Sequence, residues 1–261
     1  MSPTGVLAST LTIGAVPRLR MFAGPNGSGK STIKAVVEDE IGPELLGVYI
    51  NADDIELEVS RLGFLDISAY DVDTTADEIL GFFRNSKFLA EKNLSEDAAK
   101  LGFAGGRLIF DYVTVNSYFA SVAVDFLRNK LLEAGVTFTF ETVMSHRSKV
   151  DFLRLAQDYG FRTYLYYVAT EDPEINVSRV LTRVADGGHN VDRDKIVERY
   201  HRSLDFLADA VGYANRAYIF DNSSAEKVWI AEVTDGETIE LKTDSMPNWF
   251  KAALWDKFAL E

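Results

Sequence analysis

Gly24-Pro25-Asn26-Gly27-Ser28-Gly29-Lys30-Ser31 follows the short apolar run 19–23 and opens a stretch, 31–41, with helical spacing in Ile33, Val36 and Val37. This is the G-x-x-x-x-G-K-[ST] pattern, in the strand–turn–helix setting where it cradles phosphate. Glycines at 24, 27 and 29 let the backbone bend until successive N–H groups point at phosphate oxygens. The helix that starts near Lys30 adds the partial positive charge of its N-terminus. Gly24, Asn26, Gly27, Ser28, Gly29, Lys30, Ser31 and Thr32 are therefore the expected nucleotide contacts. Lys30 is expected to reach the β- and γ-phosphates, and Ser31 to offer its hydroxyl to Mg²⁺.

Outward from this loop, strand-like and helix-like segments alternate, which predicts an α/β fold: a P-loop NTPase/kinase-like central parallel sheet with helices on both faces. The expected strands are 19–23, 47–50, 136–141, 162–168 and 217–220. Amphipathic helices are expected at 118–133 and 149–159, and a long helical segment at 176–209 is interrupted at Gly187-Gly188. Residues 56–135 read as a mostly helical elaboration, with helical patches at 76–83 and 96–101. Residues 224–261 read as a C-terminal hairpin, turning at Asp235-Gly236, and a closing helix from Pro247 that buries Trp249, Leu254 and Phe258. No linker interrupts the chain, so 1–261 reads as a single domain.

Composition narrows the function classes. Of 261 residues, 47% are apolar and 26% charged, an ordinary globular balance. The net charge of −13 opposes any role in coating nucleic acid, because its field repels the polyanion. The absence of cysteine excludes disulfides, thiolate metal sites and thiol nucleophiles. No apolar run approaches the ~20 residues of a membrane span. No basic residue precedes the mildly apolar stretch 11–16, so a secretory signal reads poorly and the expected compartment is the cytoplasm.

What the nucleotide serves depends on the residues around it. Asp53 and Asp54 end the second strand and Glu141 ends the third. In a doubly wound sheet these strand ends open onto the phosphate crevice. Carboxylates there take a proton from an acceptor hydroxyl or hold Mg²⁺ through water, while the competing reading makes Asp53 or Asp54 a helix cap. Arg179 and Arg183 share one helix face, as do Lys195, Arg199 and Arg202. With Gly187-Gly188-His189 as a hinge, they suit a lid over the triphosphate. As solvated faces, they pair instead with Asp186, Asp192, Asp194 and Glu198. Leu108-Ile109-Phe110-Asp111 imitates a Mg²⁺-holding strand end but fits a buried helix equally well.

Several of these motifs fall in one order. FAGPNGSGKST (22–32), YINADDI (49–55), ETVMSHRSK (141–149), GFRTYLYYVATEDPEINVSRVLTRVADGGHNV (160–191), DKIVERYHRSL (194–204) and YIFDNS (218–223) resemble the zeta-toxin family of P-loop kinases, in particular its short single-domain bacterial members. The match runs with gaps from Phe22 to Ser223 and is loose over 56–135. The resemblance implies ATP–Mg²⁺ as donor and, as acceptor, the 3′-hydroxyl of a UDP-activated amino sugar. It makes Asp53 the general base and Glu141, with Thr142 of the same motif, the acceptor-orienting pair. Arg183 becomes the phosphate-contacting lid arginine. The family's second arginine falls near His189, leaving Arg179, Arg193 or Arg199 as substitutes. Asp192 replaces the proline common in short members. The resemblance also implies a separate antitoxin chain that blocks the ATP site. Two rival classes stay open. A nucleotide-gated switch or motor ATPase is opposed by the lack of an apolar strand ending in an Asp-Glu pair. A polynucleotide end kinase is opposed by the net charge.

Overall fold

The computed structural model describes residues 16–185 and 191–258. Strand β1 (Arg18–Ala23) runs through the glycine-rich turn into α1 (Lys30–Ile41), and α2 (Pro43–Leu46) returns the chain to β2 (Val48–Ile50). An excursion follows: α3 (Ala52–Leu62), β3 (Phe64–Asp66), α4 (Ala76–Arg84), α5 (Lys87–Glu91), α6 (Ser95–Lys100), β4 (Gly102–Ala104) and β5 (Arg107–Ile109). The long α7 (Ser117–Glu133) brings the chain back to β6 (Phe138–Thr142), α8 (Arg147–Asp158) and β7 (Arg162–Ala169). Then come α9 (Pro173–Ala185), α10 (Arg193–Asp205), α11 (Leu207–Gly212), β8 (Arg216–Asp221) and the hairpin β9 (Val228–Thr234) and β10 (Thr238–Leu241).

Among the described residues, seven strands form the main sheet in the order β10-β9-β8-β7-β1-β6-β2. The run from β8 to β2 is parallel, and the hairpin adds two antiparallel strands at one edge. Alternation along β1 divides the core between the two faces. Leu19, Met21 and Ala23 join the main core, to which α3, α7, α8 and α11 contribute. Phe22 points the other way, stacking on Tyr166 at 4.5 Å and meeting Ile33 and Val37 of α1. The expected helices on both faces are thus present. At Asp235 and Gly236 the backbone takes φ of 50° and 69°, the left-handed pair that a tight hairpin turn demands.

Two expectations need correction and one an addition. Residues 56–135 are mostly helical and also contain a three-stranded antiparallel sheet in the order β3-β5-β4. Each strand spans three residues, too short for alternation to register. The signal that was available is Gly105-Gly106, which turns β4 into β5 with φ of 58° and 77°. Leu108 and Ile109 lie in this small sheet, so Asp111 is an exposed loop residue and ends no strand of the main sheet. The C-terminal helix is broken into short turns, with a π-helical stretch at Lys251–Trp255. Trp249 and Leu254 are buried, but Phe258 is only partly so. Among the described residues no helix is long and apolar enough to cross a membrane.

Candidate active site

Parallel strands place their carboxyl ends at one edge of the sheet, and each of five supplies a part there. From β1 comes the phosphate loop. Gly24 sits at φ 141°, and a Cβ on it would lie 2.0 Å from Val168 O, so only glycine fits between the loop and β7. Gly24 N donates to Thr142 O at 3.2 Å, which fastens the loop to β6. From the end of β7, Asn176 at the start of α9 is fully buried, and its Nδ2 donates to Asn26 O at 2.6 Å. Thr170 Oγ1 donates to Asn176 Oδ1 and holds that amide in place. From the end of β8, Asn222 Nδ2 donates to Ser28 O at 2.7 Å. Lys30 Nζ lies against the loop, donating to Gly24 O at 2.9 Å and Pro25 O at 3.0 Å. Burial lowers the pKa of Lys30, opposed by the Glu141 and Asp53 carboxylates and reinforced by Arg183.

Three buried polar atoms of this region lack a hydrogen-bond partner among the described residues: Asn26 Oδ1, Ser28 Oγ and Arg179 Nη1. An unpaired buried donor costs about 1–3 kcal/mol. The hydroxyl and the guanidinium are both donors that phosphate oxygens satisfy, so the loop fits a polyphosphate.

The carboxylates come from β2 and β6. Asn51, not Asp53 or Asp54, caps α3: its Oδ1 accepts from Asp53 N at 3.0 Å. That resolves the competition between capping and chemistry, leaving both aspartate side chains free of cap duty. Asp53 Oδ2 accepts from Arg183 Nη1 at 3.4 Å, which joins the end of β2 to α9. Glu141 is shared between two sides. Its Oε2 accepts from Ser31 Oγ at 3.0 Å on the loop, and its Oε1 accepts from Tyr49 OH at 2.6 Å. Asn51 Nδ2 donates to the same Tyr49 oxygen at 3.1 Å. Burial, then the neighbouring Glu141 carboxylate, pushes the Tyr49 phenol well above its ordinary range, so it stays a proton donor.

No family model matches the sequence. An uncharacterized protein of Haemophilus influenzae is 32% identical over 69 residues, 26% of this chain, and the chain spans about half (49%) of that curated relative. The crystal structure of AvrRxo1-ORF1:-ORF2 with ATP superposes with a TM-score of 0.55 at 15% identity, covering 94% of this chain and 64% of that one. The same complex with sulphate ions gives 0.54 at 14% identity, covering 88% and 62%. The chain shares the α/β fold of these solved chains. It spans slightly less than two thirds of the length of those solved chains.

On this fold the candidate cations separate. Arg179 and Arg183 share one face of α9, Arg183 against Asp53 and Arg179 one turn earlier, half-buried with its Nη1 out of reach of water. Burial lowers the pKa of Arg199 on α10, opposed by the nearby Glu198 and Asp53 carboxylates. Arg193 does not join them, because it pairs with Glu174 and Asp194 on the outside. His189 and the Gly187-Gly188 hinge lie outside the described residues. Thr32 is exposed, its N donating to Gly29 O at 3.1 Å within the first turn of α1. Thr142 Oγ1 accepts from Met144 N at 3.1 Å. Among the described residues no three His, Cys, Asp or Glu side chains gather as a metal cluster.

Sequence reasoning assigned no role to Asn176, Asn222 or Tyr49, each of which positions another group. Asn176→Ala is expected to remove about 1–3 kcal/mol of stability, because Asn26 O loses its donor and Thr170 Oγ1 keeps only its 3.2 Å bond to Asp172 O. Urea unfolding and a nucleotide titration check this together, with affinity falling alongside stability. Asp54 offers a pH-dependent counterpart. Its pKa is raised by partial burial first, then by the Glu141 and Asp53 carboxylates. A carboxylate whose folded pKa is raised destabilises the native state once ionised. The penalty is absent below the unfolded value of about 3.9 and fully present above the raised folded value. Asp54→Asn should therefore raise Tm at pH 7 and leave it unchanged at pH 3. An equal difference at both pH values would refute this account.

Proposed function

We propose that this protein is an ATP-dependent phosphotransferase of the zeta-toxin type, moving the γ-phosphate to a hydroxyl of a small molecule, a UDP-activated amino sugar. The observation that carries the reading is the meeting of Asp53 and Arg183 at 3.4 Å, in the field of Lys30. A carboxylate and a guanidinium from elements far apart in sequence converge on the mouth of a phosphate loop. Switch ATPases need no such exposed base.

The residues divide the work as follows. Asp53 accepts the proton of the acceptor hydroxyl as its oxygen bonds to the γ-phosphorus. The bond to the β,γ-bridging oxygen breaks, and ADP leaves. Lys30 and Arg183 follow the charge on the moving phosphoryl group, and the backbone amides of the loop hold the β-phosphate. Arg179, with its unpaired donor, contacts the polyphosphate, and Arg199 adds positive charge to which the Asp53 carboxylate responds. Glu141 and Thr142 orient the acceptor. Ser31, with Glu141 Oε2 beside its hydroxyl, presents hard oxygen donors suited to Mg²⁺, and that ion when bound neutralises charge on the β- and γ-phosphate oxygens.

AvrRxo1-ORF1 was crystallised with a second chain, ORF2. The zeta-toxin reading adds a separate antitoxin chain that covers the ATP site of this protein, in the cytoplasm. The test of the activity is incubation with ATP, Mg²⁺ and a panel of UDP-sugars, nucleosides, aminoglycosides and 5′-hydroxyl oligonucleotides. A phosphorylated UDP-amino sugar is the expected product. Bound ATP with no phosphorylated acceptor overturns the kinase reading. ATP hydrolysis that a partner stimulates would favour a switch, and labelled oligonucleotides a polynucleotide kinase.

A further inference from the structure

On the face of the main sheet that carries Phe22, α1 and α2 supply the helical residues of the core, Ile33, Val37, Ile41 and Leu46. Toward the hairpin that cover runs out. Along β8, Ala217, Ile219 and Asp221 are buried, while Arg216, Tyr218 and Phe220 between them are only partly so. Beside Phe220 in the register stands Trp229 of β9, 40% exposed. A strand paired in parallel, as β8 is with β7, is ordinarily packed on both faces. This part of the sheet lacks its second layer among the described residues.

The same face carries an excess of positive charge. Register sets Arg18 of β1 directly beside Arg162 of β7, and Arg20 beside Tyr164, whose other neighbour is Arg216 of β8. Like charges placed side by side on adjacent strands destabilise a sheet. Arg216 pairs with Glu232, and Lys242 with Glu232 and Glu240. For Arg18, Arg20 and Arg162, no carboxylate lies within 4.0 Å among the described residues. Arg20 is 4% exposed, and its Nε and Nη1 have no hydrogen-bond partner there. The Tyr164 ring centroid lies 5.2 Å from the Arg20 guanidinium and 5.7 Å from that of Arg162. Such contacts offset the repulsion in part and leave the N–H donors unused. In a chain of net charge −13, three guanidinium groups without counter-charges thus gather at the amino ends of β1 and β7. The phosphate loop lies at the opposite edge, roughly 16 Å away along β1.

We propose that this open face, with Arg18 and Arg162 at its lower end and Arg20 behind them, is a docking surface for an acidic segment of a partner protein. The segment supplies the missing layer, and its carboxylates take paired hydrogen bonds from the guanidinium groups. The aromatic rings argue against a nucleic acid. Tyr166 is stacked between Phe22 at 4.5 Å and Tyr218 at 5.0 Å, and Trp229 has Lys242 over it at 4.9 Å. Ring faces that would stack a base are taken, and the positive ring edges remain. Residues 1–15 contain no carboxylate, so that stretch of the chain brings no counter-charge. A second copy docked by two-fold symmetry would set the same cations against one another. The inference is independent of the kinase reading, and a partner held at this edge leaves the phosphate loop open.

The test reads peptide binding with the nucleotide site filled. Full-length protein saturated with AMP-PNP and Mg²⁺ is titrated with a labelled oligoglutamate peptide, an oligolysine peptide and an oligothymidylate of equal length. The glutamate peptide is expected to bind saturably, one per chain, and to weaken as salt screens the guanidinium groups. Oligolysine and oligothymidylate should bind at least about tenfold more weakly. The double variant Arg18→Gln/Arg162→Gln should lose about tenfold or more in affinity for the glutamate peptide, with AMP-PNP affinity unchanged. Arg162 is exposed, so the single variant Arg162→Glu gives the same reading should the double variant fold poorly. Arg84→Gln/Lys87→Gln removes two exposed positive charges from the excursion and should leave peptide binding unchanged. Equal losses in the two double variants, or no loss in either, overturn the surface, as does tighter binding of the oligothymidylate. A mass that grows with protein concentration in wild type but not in Arg162→Glu also overturns it, by assigning the face to a second copy.

Discussion

Asp53→Asn is expected to lower turnover by ~10²–10⁴ while ATP affinity stays unchanged, the range over which a positioned general base accelerates proton transfer. The substitution keeps the shape of the side chain and removes only its ability to take a proton. Two features of the structure make the comparison clean. Asn51 caps α3, so the helix that carries position 53 does not depend on the aspartate side chain. The Asp53–Arg183 pair is exposed, at 54% and 45% of side-chain surface, so its loss costs little stability. Steady-state kinetics with an acceptor found in the panel, a nucleotide titration and a thermal melt read the three quantities separately. Turnover equal to wild type would remove Asp53 from the chemistry. A parallel fall in Tm would reassign it to structure.

The phosphate loop was legible in the sequence because its glycines answer to backbone geometry alone. Gly24, Gly27 and Gly29 all take positive φ, and that need is written in residue type. The parallel strands were legible for a related reason, since burial on both faces leaves continuous apolar runs such as 165–168. Asn176 and Asn222 were not legible. Each acts through a single side-chain amide that reaches the loop from 150 and 194 residues away in sequence, and local pattern carries no trace of such a reach. Asn51 is an intermediate case. An asparagine before an acidic first turn is a sequence-level cap signal, yet the neighbouring aspartates competed for the same reading. The three-residue strands β3, β4 and β5 escaped because period-2 alternation needs four residues or more to register. The arginines of α9 and α10 were visible as helix faces. What sorted them was tertiary pairing, which took Arg193 to Glu174 and brought Arg183 to Asp53.

Lys30→Met is the sharpest separation of function from stability that the site allows. Loss of the ammonium that follows the phosphoryl charge is expected to cut turnover by ~10²–10³, comparable with removal of one preorganised donor from an oxyanion site. ATP affinity should fall with it. Stability should move the other way or not at all. Burial lowers the pKa of Lys30, so its charged form is less favourable in the folded chain than in the unfolded one. A cation with a lowered folded pKa destabilises the native state while protonated, and that cost fades as pH rises through the folded value. Methionine has nearly the same length and no charge, so the cost disappears at neutral pH. Opposing this, Gly24 O and Pro25 O lose hydrogen bonds of 2.9 and 3.0 Å. Each such bond contributes about 1 kcal/mol net, and water reaches the mouth of the loop to replace part of it. An inactive variant whose Tm at pH 7 equals or exceeds that of wild type is the expected result. A large fall in Tm would mean that the lysine holds the loop together, and the loss of activity would then say nothing about phosphoryl transfer.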